Sequence, residues 1–200
     1  MVVEFWKIKK KLLPKNFFYR HSKLVAPDLI GCYLIKKNNK NDQVKGLIVE
    51  TEAYSQEEEA CHGYRKITKS NQPLFGKPGT FYIYKSYGIH HCLNIVTDKE
   101  NFASGVLIRA VFIPLKNERL ASGPGLLTKA FGIDLSFNSL EVINNNSLWI
   151  SQRNLPIEQI DLIQTTRIGI SKAKNIKWRW YLKNSRSVSK RLKGDRTPQF

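Results

Sequence analysis

The sequence predicts an α+β fold: one domain on a central, mainly antiparallel sheet with peripheral helices. Three observations carry this. Apolar, β-branched segments recur with polar, turn-prone residues between them. One segment carries helix signals at both ends. The 200 residues suffice for one core, and neither an internal repeat nor a long linker divides them.

The elements follow in chain order. "FFYRHSKLVAPDLI" suits a short helix broken near Pro27. "GCYLIKK" reads as a strand, "NNKND" as a turn, and "VKGLIVETEAY" as the returning strand. Residues 55–80 are polar and hold Pro73, Gly76, Pro78 and Gly79, which predicts a long loop of the kind that often serves function. "TFYIYKSYGIHHCLNIVT" gives two strands about a tight turn near Ser86-Tyr87-Gly88. "GVLIRAVFIP" is almost wholly apolar, a strand covered on both faces. "SGPGLLTKAFGI" is a helix with Ser122 as cap, Pro124 in the first turn and Gly132 as stop. "TRIGI" at 166–170 precedes a basic tail.

Charge narrows the partner. Lys and Arg number 33 against 16 Asp and Glu, a formal net charge of +17. Residues 1–24 hold seven Lys/Arg and one acid, and residues 166–200 hold eleven and one. Five acids crowd into residues 50–59. Two basic ends around an acidic island suit a phosphate-gripping surface around a site that needs carboxylates. Solvated tails are the plainer reading of the same ends. No apolar run approaches the roughly 20 residues of a membrane span, and the start lacks a signal-peptide pattern. Three widely spaced cysteines, Cys32, Cys61 and Cys92, suit reduced thiols and a cytoplasmic location.

Strand alternation places Ile48, Glu50, Glu52 and Tyr54 on one face. This is either a solvent-facing edge or a carboxylate beside an aromatic in a cleft. The hairpin offers Tyr82 and Tyr84, then His90, Cys92 and Asn94, on alternating positions. Arg109, inside "VLIRAVF", needs an anion, because an unpaired buried charge costs several kcal/mol. Glu50 or Glu52 can supply it, in a structural pair or a functional one. Cys61-His62 and His90-His91-Cys92 are metal-ligand types without CxxC or HExxH spacing, and adjacent strand histidines point apart. "GKPGT" lacks the phosphate-loop spacing, which argues against nucleotide hydrolysis. Tyr87, at a hairpin tip, either folds back on its own hairpin or enters a duplex as a wedge.

Taken together, "GLIVETEAY", "ACHGYRK", "KPGTFYIYKSYGIHHCLNIV", "GVLIRA" and "SGPGLLTKAFGI" resemble the successive motifs of the alkyladenine (3-methyladenine) DNA glycosylases of the human alkyladenine glycosylase type. Order and spacing agree from about residue 17 to 185. The resemblance implies one compact domain over residues 1–200 with a curved sheet, similar to the C-terminal domain of formyltransferases. It leaves the basic tail from about residue 186 room to be flexible. It implies a monomer that takes damaged purines from double-stranded DNA, with no cofactor, metal or membrane. It implies excision of 3-methyladenine, 7-methylguanine, hypoxanthine or ethenoadenine by water, leaving an abasic site. Residue by residue, Glu52 matches the general base, and Arg109 and the backbone carbonyl of Ile168 match the groups that position the water. Tyr54, His62 and Tyr84 match the base pocket, Asn94 the group that rejects normal guanine, and Tyr87 the wedge. Lys69-Ser70-Asn71 departs from the family's usual Arg before the Asn. The tail matches loosely, at Trp180-Tyr181 and Ser185. Two other classes remain as alternatives: a non-catalytic nucleic-acid-binding module, and a metal-dependent nuclease built on Glu50, Glu52 and the histidines.

Overall fold

The computed structural model describes residues 11–37, 42–143, 145–154 and 160–192. The "NNKND" turn falls mostly outside them. Among the described residues eight strands form one antiparallel, curled sheet: β1 (Tyr33–Lys37), β2 (Gln43–Ser55), β3 (Phe81–Ser86), β4 (His90–Val96), β5 (Ser104–Phe112), β6 (Leu148–Ser151), β7 (Leu162–Thr165) and β8 (Arg179–Leu182). The spatial order is β3-β4-β5-β2-β1-β6, with β8 also on β2 and β7 on β8. The last three strands, short and set in polar sequence, had no clear alternation to announce them.

The 13-residue strand β2 organises the sheet. One edge runs along β5. The other edge changes partner midway: β1 pairs with residues 43–47 and β8 with residues 50–52. At this change the β2–β5 ladder is irregular. Glu50 lies opposite Ala110, while Val49 beside it and Arg109 on the facing strand have no register partner. Such a bulge re-aims side chains. It corrects the simple alternation. Ile48 packs into the main core with Val25, Ala26 and Leu29, the same side as Ala53, whereas Glu50, Glu52 and Tyr54 turn to the other face.

Two short helices cover the core face. Helix α1 (Ser22–Asp28) is capped by His21, whose Nδ1 accepts from the amide of Lys23 at 3.1 Å, and it ends just past Pro27. Helix α2 (Pro124–Phe131) buries Leu127 and Phe131 against Ile83, Leu93 and Ile95. Gly132 ends it with φ 60°, a left-handed conformation that favours glycine. Ser122 is not its cap. Gly123 holds that position, and the Ser122 hydroxyl instead donates to the carbonyl of Glu118 at 3.0 Å.

The opposite face of β3, β4 and β5 is covered by the long loop after β2. Cys61, Leu74, Phe75, Tyr82, Val96 and Ala103 pack there as a second cluster. The loop contains a 3-10 turn at Gln72–Phe75 and is stapled by Asn71. The Asn71 amide nitrogen donates to the carbonyls of His62 (2.7 Å) and Lys66 (3.0 Å), and its oxygen accepts from the Thr68 amide. No helix among the described residues is long and apolar enough to cross a membrane.

Candidate active site

One row of the sheet builds the site. Tyr82 pairs with Asn94, Asn94 with Leu107, Leu107 with Glu52, and Glu52 with Arg179. Five strands thus bring five side chains into line. The next row places Tyr84 opposite Cys92. Tyr54 lies opposite Gly105, where a Cβ would come within 2.9 Å of Leu74 and 3.2 Å of the Ile95 carbonyl. From these rows Tyr54, Tyr82, Tyr84, Cys92, Asn94 and Leu107 wall a cavity of about 480 Å³ with His62, Arg109 and Ile168. That volume lies in the range of small-molecule sites.

Glu52 is fully buried, and the three residues bonded to it, Tyr54, Arg109 and Ile168, line this cavity. Its Oε1 accepts from the Ile168 amide at 2.8 Å. Its Oε2 accepts from the Tyr54 hydroxyl at 2.8 Å and from Arg109 Nη1 at 3.2 Å. A carboxylate offers about four acceptor positions, so one on Oε1 is left for a further donor. Burial works against the charge of Arg109, but Glu52 and then Glu50 outweigh it and raise the guanidinium above its ordinary value. Burial, followed by the Glu52 charge, lifts the Tyr54 phenol well above the usual tyrosine range, so it remains a donor.

Glu50 is as deeply buried and takes one donor more than Glu52. It accepts from Arg109 Nε (3.2 Å), Arg179 Nε (2.7 Å), and the amide (2.7 Å) and hydroxyl (2.8 Å) of Ser189. Two carboxylates and two guanidiniums therefore neutralise one another, which offsets the cost of desolvating each. Residues 186–189 pack against this cluster. Ser187 and Val188 are buried, and Arg119 donates to the carbonyls of Arg186, Val188 and Ser189.

The aromatic walls are tightly placed. His62 lies 4.4 Å from Tyr84, edge to face, and its Nδ1 is 3.0 Å from the Tyr82 hydroxyl. Burial depresses the His62 pKa, favouring the neutral ring. Asn94 donates its amide to the carbonyls of Tyr82 (3.0 Å) and Cys92 (3.3 Å), which fixes its orientation. All three thiols are free and buried. Burial pushes Cys32 and Cys61 up to about 11 and raises Cys92 as well. Among the described residues no three His, Cys, Asp or Glu side chains gather to hold a metal ion.

Tyr87 stands at the rim of the cavity. It is 89% exposed, in the turn closed by the Ile89 amide on the Ser86 carbonyl. Tyr87 itself has φ 50° and Gly88 has φ 68°. It does not fold back on its hairpin.

The structure brings Glu52, Tyr54, His62, Tyr84, Asn94, Arg109 and Ile168 together, on supports that the sequence did not announce. "TRIGI" lies between β7 and β8, not in a strand, and presents the Ile168 amide to Glu52. Arg167 beside it makes a two-pronged pair with Glu58 at 2.6 and 2.8 Å, and its guanidinium lies 4.7 Å from the centroid of Tyr54. Glu58 belonged to the acidic island, but nothing local marked Arg167 as its partner.

Fold and site together define an aromatic-walled cavity, with Arg109 in its wall paired to a buried carboxylate and an exposed tyrosine at its rim. Residues 16–186 match the methylpurine-DNA glycosylase family, and the chain belongs to it. Its relatives include a protein of Trichodesmium erythraeum, 41% identical over 197 residues, covering 90% of this chain and 98% of its own. One of a Synechococcus species is 45% identical over 181 residues, with 83% and 93% covered. One of Carboxydothermus hydrogenoformans is 42% identical over 193 residues, with 90% and 100% covered. Each carries the name "Putative 3-methyladenine DNA glycosylase".

Proposed function

We propose that the protein is a base-excision-repair glycosylase that flips alkylated or deaminated purines out of duplex DNA and hydrolyses their N-glycosidic bond. The observation that carries this is Glu52, a buried carboxylate held by Tyr54, Arg109 and Ile168, three residues that themselves line an aromatic-walled cavity. Family membership and the net charge of +17 support it.

The chemistry follows from the geometry. The flipped purine stacks among Tyr54, His62 and Tyr84. A cationic alkylated ring gains about 0.5–2 kcal/mol per good aromatic face. Asn94, its amide committed to two carbonyls, is the proposed block to the 2-amino group of normal guanine. As the bond to the base lengthens, positive charge grows on the sugar, and the Glu52 carboxylate stabilises it. A water between the free position on Oε1 and the Ile168 carbonyl attacks the anomeric carbon. Glu52 takes its proton, and the bonding pair leaves with the base. Arg109 keeps the carboxylate aimed. An alkylated purine departs as a neutral base, whereas hypoxanthine must acquire a proton as it leaves. Water as nucleophile makes the enzyme monofunctional. Tyr87 fills the gap in the duplex, and surface Lys and Arg grip phosphates without reading sequence. The protein acts as a monomer and needs no metal.

Incubation with duplex containing hypoxanthine, 1,N6-ethenoadenine or 7-methylguanine in EDTA tests this. Strand breaks at the lesion only after alkali are expected. Breaks without alkali, or activity lost in EDTA, would overturn it in favour of a lyase or a nuclease. Tight lesion binding with no product would leave a binding module.

A further inference from the structure

Ser189 lies beyond the family match, which ends at residue 186, yet it bonds twice to a carboxylate in the row next to Glu52. The path is short. The amide and hydroxyl of Ser189 hold both oxygens of Glu50. Glu50 receives Arg109 through Nε, and Arg109 reaches Glu52 through Nη1. Nη2 of Arg109 also lies 3.5 Å from the Ser189 hydroxyl. Arg109 has no partner in the β2–β5 register, so that register does not determine where its guanidinium rests. Its bonds to Glu50, Glu52 and Ser189 do.

The segment carrying Ser189 is fastened independently. Arg119 donates to three of its carbonyls, Arg179 donates to the Lys190 carbonyl, and the Leu192 amide donates to the Tyr181 hydroxyl. Val188 packs with Val49, Ala110 and Tyr181 at the bulge. With so many other attachments, the segment does not depend on the Ser189 hydroxyl to stay docked. That hydroxyl is left to orient the ionic cluster.

We infer that Ser189 is a positioning residue: acting through Glu50 and Arg109, it fixes the carboxylate of Glu52 in its reactive orientation. The inference rests on the proposed role of Glu52. Misplacement of a reacting group by a fraction of its bond length leaves binding intact and slows chemistry steeply.

The test measures single-turnover release of hypoxanthine from duplex DNA, lesion-duplex affinity and thermal stability for S189A, S189T and E50Q, with E52Q alongside. S189A is expected to slow release about tenfold at saturating enzyme, with affinity within about twofold and the melting temperature nearly unchanged. S189T, which keeps the hydroxyl, should restore most of the rate. E50Q should slow release at least as much as S189A. A rate for folded S189A within twofold of the unaltered chain would overturn the inference, as would equal defects in S189A and S189T. If E52Q still releases base at the unaltered rate, the role of Glu52 itself falls, whatever Ser189 does.

Discussion

The two ends of the chamber are built on opposite plans. At the inner end, Glu52 is wholly buried and bonded to β5, to its own strand and to the β7–β8 loop. At the mouth, Tyr87 is 89% exposed on a turn. A group that stabilises a developing charge must be fixed before the reaction, because reorganising it would cost what it gains. A group that replaces a flipped nucleotide must stay unsatisfied until DNA arrives. The difference teaches that buried polar bonds mark where chemistry is prepared, and exposed apolar surface marks where a partner completes the structure.

The largest test of the contrast is at the inner end. Glu52→Gln should lower excision by about a thousandfold while keeping lesion binding, measured as single-turnover release against duplex affinity. Loss of both together would mean the carboxylate holds the fold rather than the reaction.

Next comes the support behind Tyr54. Glu58→Leu leaves Arg167 buried without its carboxylate and should cost about 3–5 kcal/mol in chemical denaturation. A cost under about 1 kcal/mol would remove this pair from the framework of the wall.

Tyr87→Ser then probes the mouth. It should weaken lesion-duplex binding by about 1–3 kcal/mol, the range for one base–aromatic stack, and leave stability within about 0.5 kcal/mol. A drop in melting temperature instead would show that the tyrosine supports its own hairpin.

The smallest effect concerns the side wall. Burial lowers the His62 pKa, so below about pH 6.5 the unfolded chain takes up a proton that the folded one resists. Stability should therefore fall as pH drops from 6.5, by at most about 1.4 kcal/mol per pH unit. Melting curves of His62→Gln against the unaltered protein should show that part of the slope disappear.

Much of this site was legible because it is local. The alternation in "VETEAY" put Glu52 and Tyr54 together, and an Arg amid apolar residues announced a buried anion. The hairpin turn and Gly132 were readable from residue type alone. What was hidden depends on pairing across the chain. The bulge beside Ile48 lies where β2 changes partner from β1 to β8, a long-range pairing that local sequence does not show. For the same reason Glu50, which parity made a twin of Glu52, could not be told from it by alternation alone. Arg179 and Ser189, arriving from far along the chain, give Glu50 four donors where Glu52 has three.

The buried thiols carry a different consequence. An enzyme for alkylated bases works wherever alkylating reagents are present, and such reagents prefer thiolate sulfur. Burial holds Cys32, Cys61 and Cys92 in the protonated, weakly nucleophilic form. Cys32 and Cys61, away from the cavity that Cys92 lines, are thus shielded from the reagents that create the protein's proposed substrates. In the folded state its thiols should react with an aromatic disulfide reagent at least about tenfold more slowly than after unfolding in guanidinium. Prompt reaction of the folded protein would remove that protection.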